Sequence, residues 1–231
     1  MKEEFTRTAL LLGEEALNRL SSSHVLVFGV GGVGGHAVDA LARAGIGQIT
    51  VVDNDKVSPS NINRQMVALH STIGRSKVEV MKERILDINP EAEVIAKEMF
   101  FLPENADEIL FADYDYVLDC VDTVSAKIAI IEQAKKAGVP VVSAMGAGNK
   151  LDPSKFRISD ISKTEYCPLA KVMRRELRTR GINRVDVCWS PEVPVKPSVS
   201  DGKPVPGSVS FVPSVCGLVM AGKVVTDLAG V

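Results

Sequence analysis

The sequence predicts an α/β fold: a Rossmann-like, mostly parallel sheet flanked by helices, with a mixed C-terminal part. Three observations carry this expectation. Short apolar runs alternate with helical patterns through about residue 150. A glycine turn joins the first of these runs to a helix, and later runs end in carboxylates, where ligands of open parallel sheets bind.

The elements follow in order. Residues 1–22 read as an amphipathic helical arm, with Leu10, Leu11, Leu12, Ala16, Leu17 and Leu20 at helical spacing and Glu14, Glu15 and Arg19 outside. "HVLVFGV" is a buried strand, and Gly31–Ala44 a helix opened by glycines. "QITVVDND" is a second strand ending in Asp53 and Asp55. The polar loop "KVSPSNINRQ" leads to a helix from Lys77 to Ile88, which "NP" stops. "EVIAKEMF" and "YDYVLDCVD" are the third and fourth strands. "SAKIAIIEQAKKAG" is a helix closed by Gly138, and "VPVVSAMGAG" is a fifth strand. Beyond it the rhythm changes to a polar-alternating strand, "FRISDISKT", and a basic helix, "PLAKVMRRELRTRG". Residues 191–207 hold five of the twelve prolines and read as a loop or crossover. An apolar helix rich in small residues, "SVCGLVMAGKVVTDLAG", closes the chain. No internal repeat or second linked core is visible, so 1–231 reads as one domain.

"GVGGVG" fits G-x-G-x-x-G, with Gly29, Gly31 and Gly34 as the fixed glycines and Gly32 inside the turn. Such a turn brings backbone N–H groups and a helix N-terminus to phosphate. Asp53, about twenty residues on, is placed for ribose hydroxyls. The glycines and this acid alone favour a dinucleotide. The loop that follows favours ATP, because Arg64 and Lys77 can neutralise a triphosphate and the charge on departing pyrophosphate. Their plainer reading is two solvated cations. Asp119 and Asp122 end the fourth strand, and a carboxylate there can hold Mg²⁺ between phosphate oxygens. Asp122, past the strand end, is the better candidate. Asp119 reads as a cap of the next helix.

Together "GVGGVG", "VVDND", "SNINRQ", "GRSKVE", "INP" and "DCVDT" make the chain resemble the E1-like (ThiF/MoeB/HesA) adenylating family, and so an E1-like fold. The resemblance implies that ATP makes an acyl-adenylate and releases pyrophosphate. It assigns Gly29, Gly31, Gly32 and Gly34 to the phosphate loop, and Asp53 with Asp55 to the nucleotide site. Asn61, Arg64, Gln65 and Lys77 would meet phosphates, and Asp122 would handle Mg²⁺ and adenylation. Arg7, in "FTRTALLLG", would reach into the partner's site of a homodimer. Later segments resemble the branch that dehydrates N6-threonylcarbamoyladenosine at position 37 of tRNA. There the activated threonyl carboxylate is attacked by the carbamoyl oxygen, an oxazolone ring closes and AMP leaves. The alternative is an adenylyltransferase that activates the C-terminus of a ubiquitin-like sulfur carrier.

Relatives acting on such carriers hold zinc through two C-x-x-C pairs. The four cysteines here, Cys120, Cys167, Cys188 and Cys216, form no such pair, so zinc is not expected. Cys167, in a polar loop, is the most exposed candidate, and Cys120 reads as packed. No catalytic thiol is assigned, because a tethered nucleophile needs none. The formal net charge of −2 excludes a global basic field. Locally, Lys163, Lys171, Arg174, Arg175, Arg178, Arg180 and Arg184 face only Glu165 and Glu176. The segment from Lys171 to Arg184 is the candidate tRNA contact, its plainer reading being a solvated helix face. A sulfur-transfer protein stays open as a partner. No signal peptide or bilayer-spanning run is read, so a cytoplasmic location without membrane association is expected.

Overall fold

The computed structural model describes residues 3–196, 198–200 and 203–231, the side chains of 198–200 and 203–205 excepted. Its strands are β1 (His24–Phe28), β2 (Gln48–Val52), β3 (Glu93–Lys97), β4 (Tyr116–Asp119), β5 (Val141–Ala144), β6 (Arg157–Asp160) and β7 (Asp186–Trp189). They form one sheet in the order β3-β2-β1-β4-β5-β7-β6. All neighbours pair parallel except β6 with β7. This is the Rossmann-like, mostly parallel sheet with a mixed C-terminal part that the pattern predicts.

Helices cover both faces, which is why the central strands read as continuous apolar runs rather than as alternation. Val25, Val27, Ile49, Val51 and Leu118 face one core with α3 (Gly34–Ala44), α4 (Lys77–Ile88) and α7 (Phe211–Ala229). Leu26, Phe28, Val117 and Val187 face the other, with α5 (Val124–Ala137) and α6 (Pro168–Thr179).

The N-terminal arm is two helices, α1 (Thr6–Leu12) and α2 (Glu14–Ser22), broken at Gly13, whose φ of 89° resets the helical phase. Phe5, Ala9, Ala16 and Leu20 therefore face inward, while Leu10 and Leu11 are more than four-fifths exposed, against the expected apolar stripe. The glycine-turn helix starts at Gly34, later than expected, since 31–33 form the turn. Residues 186–189 are a strand with no counterpart in the sequence reading. The proline-rich segment is not wholly loop: β8 (Ser198–Ser200) and β9 (Lys203–Val205) pair antiparallel inside it, while 197 and 201–202 lie outside the described residues. α7 is long and apolar enough to span a bilayer by length and composition, with a mean hydropathy of 1.5, which the sequence reading passed over. It packs on α3, α2 and the sheet.

Candidate active site

Three loops leave the sheet at one level because their strands are in register: Phe28 pairs with Val52 of β2 and with Asp119 of β4. β1 lies between β2 and β4, where the order of the strands reverses, the expected place for a nucleotide. The glycine turn, the Asp53–Asp55 corner and the 120–123 loop enclose a cavity of about 580 Å³ there.

Gly29 has φ of 85°, and a Cβ on it would lie 2.9 Å from the Cys120 carbonyl oxygen. A Cβ on Gly34 would lie 1.8 Å from the Gly29 oxygen. Backbone thus touches backbone at both positions, and only glycine fits. Gly34 is buried under the turn, while Gly29, Gly31 and Gly32 line the cavity. Asp53 accepts from the Val30 N–H at 2.7 Å and from the Asp55 N–H at 2.8 Å, pinning the turn to the corner.

Lys77, the first residue of α4, is nearly buried, and its Nζ donates to Asp55 at 2.7 Å. Both line the cavity. Arg64 lines it too, donating to the Ser60 carbonyl at 2.9 Å and to Asn63 Oδ1 at 2.8 Å. No described carboxylate pairs with this guanidinium. Its neighbour Gln65 lines the cavity with a buried Oε1 that has no hydrogen-bond partner. Asn61 is outside the lining. Its Oδ1 accepts from the Ser58 N–H, and its carbonyl accepts from the N–H groups of Arg64 and Gln65, so it builds the turn that presents them.

Asp122 is exposed into the cavity, and its carboxylate has no hydrogen bond or ion pair among the described residues. Asp119 does not cap α5, whose N-cap is Thr123. It is fully buried in an ion pair with Lys127 at 2.9 Å. Cys120 lines the cavity and is not wholly packed away; burial and the Asp119 carboxylate push its thiol well above the ordinary value. Cys167 is buried, not exposed, because it precedes the first turn of α6 and packs beside Gly146.

The sequence reading missed two walls. Met99, Phe100 and Phe101, just past β3, close one side. Gly146, Ala147 and Gly148 past β5, with Pro206, Gly207 and Ser208 of the crossover, close the other. Asn149 clasps these segments, its Oδ1 accepting from the Gly207 N–H at 2.6 Å and its N–H donating to the Gly207 carbonyl at 2.8 Å. A small-residue run at a strand's carboxyl end, "SAMGAG", was the available signal.

Arg7 is exposed on α1 and does not line this chain's cavity. Of the basic segment, Arg174 is tied to Thr164, and Arg175 and Arg180 pair with Glu176. Lys163, Lys171, Arg178 and Arg184 have no ion-pair partner among the described residues. α6 begins beside the cavity, with Leu169 in its lining, and runs away from it. No group of three or more His, Cys, Asp or Glu that could hold a metal occurs among the described residues.

A glycine turn, two cations and a free carboxylate around one cavity at the switch point of a parallel sheet define a nucleotide-binding protein of the adenylating class. The chain belongs to the ThiF family, whose model matches residues 5–231. It is 46% identical to the tRNA threonylcarbamoyladenosine dehydratase of Bacillus subtilis, over 99% of this chain and 95% of that one. The Escherichia coli protein of the same name is 40% identical over 87% of this chain and 78% of its own. The crystal structure of the E. coli dehydratase in complex with ATP superposes with a TM-score of 0.92, covering 99% of this chain and 94% of that one.

Proposed function

We propose that this protein is an ATP-dependent dehydratase of N6-threonylcarbamoyladenosine in tRNA. The threonyl carboxylate attacks the α-phosphorus of ATP, giving an acyl-adenylate and pyrophosphate. The carbamoyl oxygen, tethered beside the activated carbonyl, then closes the oxazolone ring and AMP leaves. One water is lost from the nucleoside overall, its oxygen departing on AMP.

The observation that carries the reading is the meeting of Arg64, Lys77 and the free Asp122 carboxylate around one cavity with the glycine turn. Gly29, Gly31 and Gly32 would hold phosphates, with Gly34 packing beneath the turn. Asp53 would accept from ribose hydroxyls with the lone pairs its backbone bonds leave free. Arg64, Gln65 and Lys77 would bind the β- and γ-phosphates, Lys77 being released from Asp55, and Asn61 would hold the turn. The donor set suits Mg²⁺, which takes one or two carboxylates together with substrate phosphates rather than an all-protein cage. Asp122 would hold that ion, which neutralises phosphate charge when bound. Arg7 would act in the partner's cavity of a homodimer, since it does not line its own. The unpaired Lys171 and Arg178 on α6, with Arg184 in the loop before β7, would meet RNA phosphates in a cytoplasmic enzyme. A sulfur-transfer protein would be an accessory and not a reactant, since no thiol enters the reaction.

The test incubates the protein with Mg-ATP and tRNA carrying the modified nucleoside, followed by nucleoside mass spectrometry. The expected result is loss of one water from that nucleoside with AMP formation. No loss, with pyrophosphate exchange stimulated instead by a small Gly-Gly-tailed protein, would establish the sulfur-carrier alternative. Asp122→Ala should abolish AMP formation in a folded protein. Mixed dimers carrying Arg7→Ala and Asp122→Ala on different subunits should regain activity over either homodimer, since one site keeps both groups.

A further inference from the structure

Beneath the cavity floor lies an ion pair that the reaction does not touch. Asp119, the last residue of β4, and Lys127, in the first turns of α5, are both fully buried, with Lys127 Nζ 2.9 Å from Asp119 Oδ2. The Ser143 hydroxyl of β5 donates to the same oxygen at 2.6 Å. Desolvating two charges is costly, and packed apolar residues commonly serve a core as well. What the pair does beyond neutralising itself is local. Lys127 Nζ also donates to the Val121 carbonyl at 3.1 Å, and Asp119 Oδ1 accepts from the Val121 N–H at 3.3 Å. Both peptide groups of Val121 are therefore held by one ion pair, and the next residue is Asp122. The near side of the loop is fixed as well: the Cys120 N–H donates to the Phe28 carbonyl at 2.8 Å, the last residue before the glycine turn.

We propose that Asp119 and Lys127 are positioning residues for Asp122: the ion pair sets the 120–122 backbone, and so the place of the carboxylate, relative to the glycine turn. This rests on the reading that Asp122 takes part in adenylation. A carboxylate with no partner of its own has only its backbone to place it. Displacements of about 1 Å in such a group can cost on the order of a hundredfold in rate. A rigid support under an unpartnered residue is what preorganisation requires.

The test separates support of the loop from support of the fold. Lys127→Met alone leaves a buried carboxylate without a counter-charge and should melt early. Asp119→Asn/Lys127→Met removes both charges at similar volume and should recover most of the melting temperature. In this double variant the proposal expects single-turnover AMP formation, with tRNA substrate, to stay at least tenfold below the parent, with ATP affinity within threefold. Recovery of turnover along with melting temperature would show that the pair serves the fold alone and would overturn the proposal. Added to Asp122→Asn, the same two changes should cost no further rate; a full additional loss would show that they act elsewhere. If Asp122→Ala itself leaves turnover unchanged, the reading of Asp122 fails first, and that result is distinct from either outcome above. Should the double variant not fold, Ser143→Ala removes only the hydroxyl on Asp119. A severalfold loss in turnover at constant ATP affinity supports the proposal, and unchanged turnover overturns it.

Discussion

Gly217 of α7 offers a test in which two physical effects predict opposite signs. An exposed helical glycine replaced by alanine should gain about 1 kcal/mol from propensity alone. Gly217 is buried where α7 crosses α3: an added Cβ would lie 2.2 Å from the Val33 carbonyl oxygen and 3.0 Å from the Ala37 nitrogen. Those two atoms are partners in a hydrogen bond of the first turn of α3, directly after the glycine turn. The methyl would fall about 1 Å short of ordinary contact with backbone that has no rotamer to change. Overpacking costs about 1–3 kcal/mol, and a clash this close with backbone belongs in the upper part of that range, about 2–3 kcal/mol. The clash should therefore outweigh propensity, leaving Gly217→Ala about 1–2 kcal/mol less stable, or lower in Tm by roughly 2–8 °C for a chain of this size. Because the strain lands on the glycine turn proposed to hold the phosphates, ATP affinity should also fall about tenfold, or 1.4 kcal/mol. Gly222, on the same helix, is exposed, and a Cβ there would meet nothing within 4 Å. Gly222→Ala should show the propensity gain alone, with ATP binding unchanged. Thermal melting and calorimetric ATP titration of both variants decide the matter. A rise in Tm for Gly217→Ala equal to that for Gly222→Ala, with unaltered ATP affinity, would refute the close-crossing argument.

Other outcomes follow from the same geometry. Removing a cation that stabilises charge on departing pyrophosphate should lower kcat by about 10²–10³; Arg64→Ala and Lys77→Met should each do so in single-turnover assays, and a change confined to KM would make them uniform binding groups. Replacing Lys171, Arg178 and Arg184 together with glutamine should flatten the slope of log tRNA affinity against log salt by about two, at roughly 0.7 per lost phosphate contact. An unchanged slope would leave the segment from Lys171 to Arg184 a solvated face. Burial pushes the His24 imidazole below its ordinary value, against the raising effect of Glu93 and Asp115. The neutral ring is therefore favoured by folding. Its contribution is complete above the ordinary value of about 6.5 and is lost as pH falls through that value and the lower folded one. Tm should drop on acidification less steeply in His24→Gln than in the parent, and equal slopes would remove His24 from the account. Cys167→Ala should retain turnover within twofold; a larger loss at unchanged Tm would bring a thiol back into the mechanism.

What the sequence made legible follows from where backbone geometry restricts side-chain choice. Gly29 and Gly34 could be found because backbone touches backbone there, and a motif of glycines is the trace of that constraint. The acids at the ends of β2 and β4 were legible for a related reason, since a charge following a continuous apolar run marks where a strand leaves the core. Asp119 shows the limit of that signal. The run did not end before it: the residue lies inside the last strand pair, opposite Phe28, and its charge is met by Lys127 in the following helix. A buried acid paired eight positions on looks, in sequence, the same as an acid that caps a helix. Asp122 was separable only because it stands three residues later, beyond the strand.

The unread elements lacked periodicity of their own. β7 is four residues long and fully flanked, so neither alternation nor length marks it. Its place in the sheet comes from pairing with β5 on one side and β6 on the other. β6 was legible because it is the edge, where polar Arg157, Ser159 and Asp160 surround Ile158 in the sequence and Arg157 is exposed and lies over the Trp189 ring. Leu10 and Leu11 failed in the opposite direction, since a helical stripe counted across Gly13 assumes one continuous helix, and a glycine at φ 89° rotates everything before it. The small residues of α7 make the same point from the side of function. In sequence they read as composition. In the structure Gly217 admits the first turn of α3, and a Cβ on Gly32 would lie 3.3 Å from Pro213, so the last helix of the chain bears directly on the first loop of the site. The glycine turn is thus shaped from outside its own motif, and the glycine fingerprint alone could not specify its geometry.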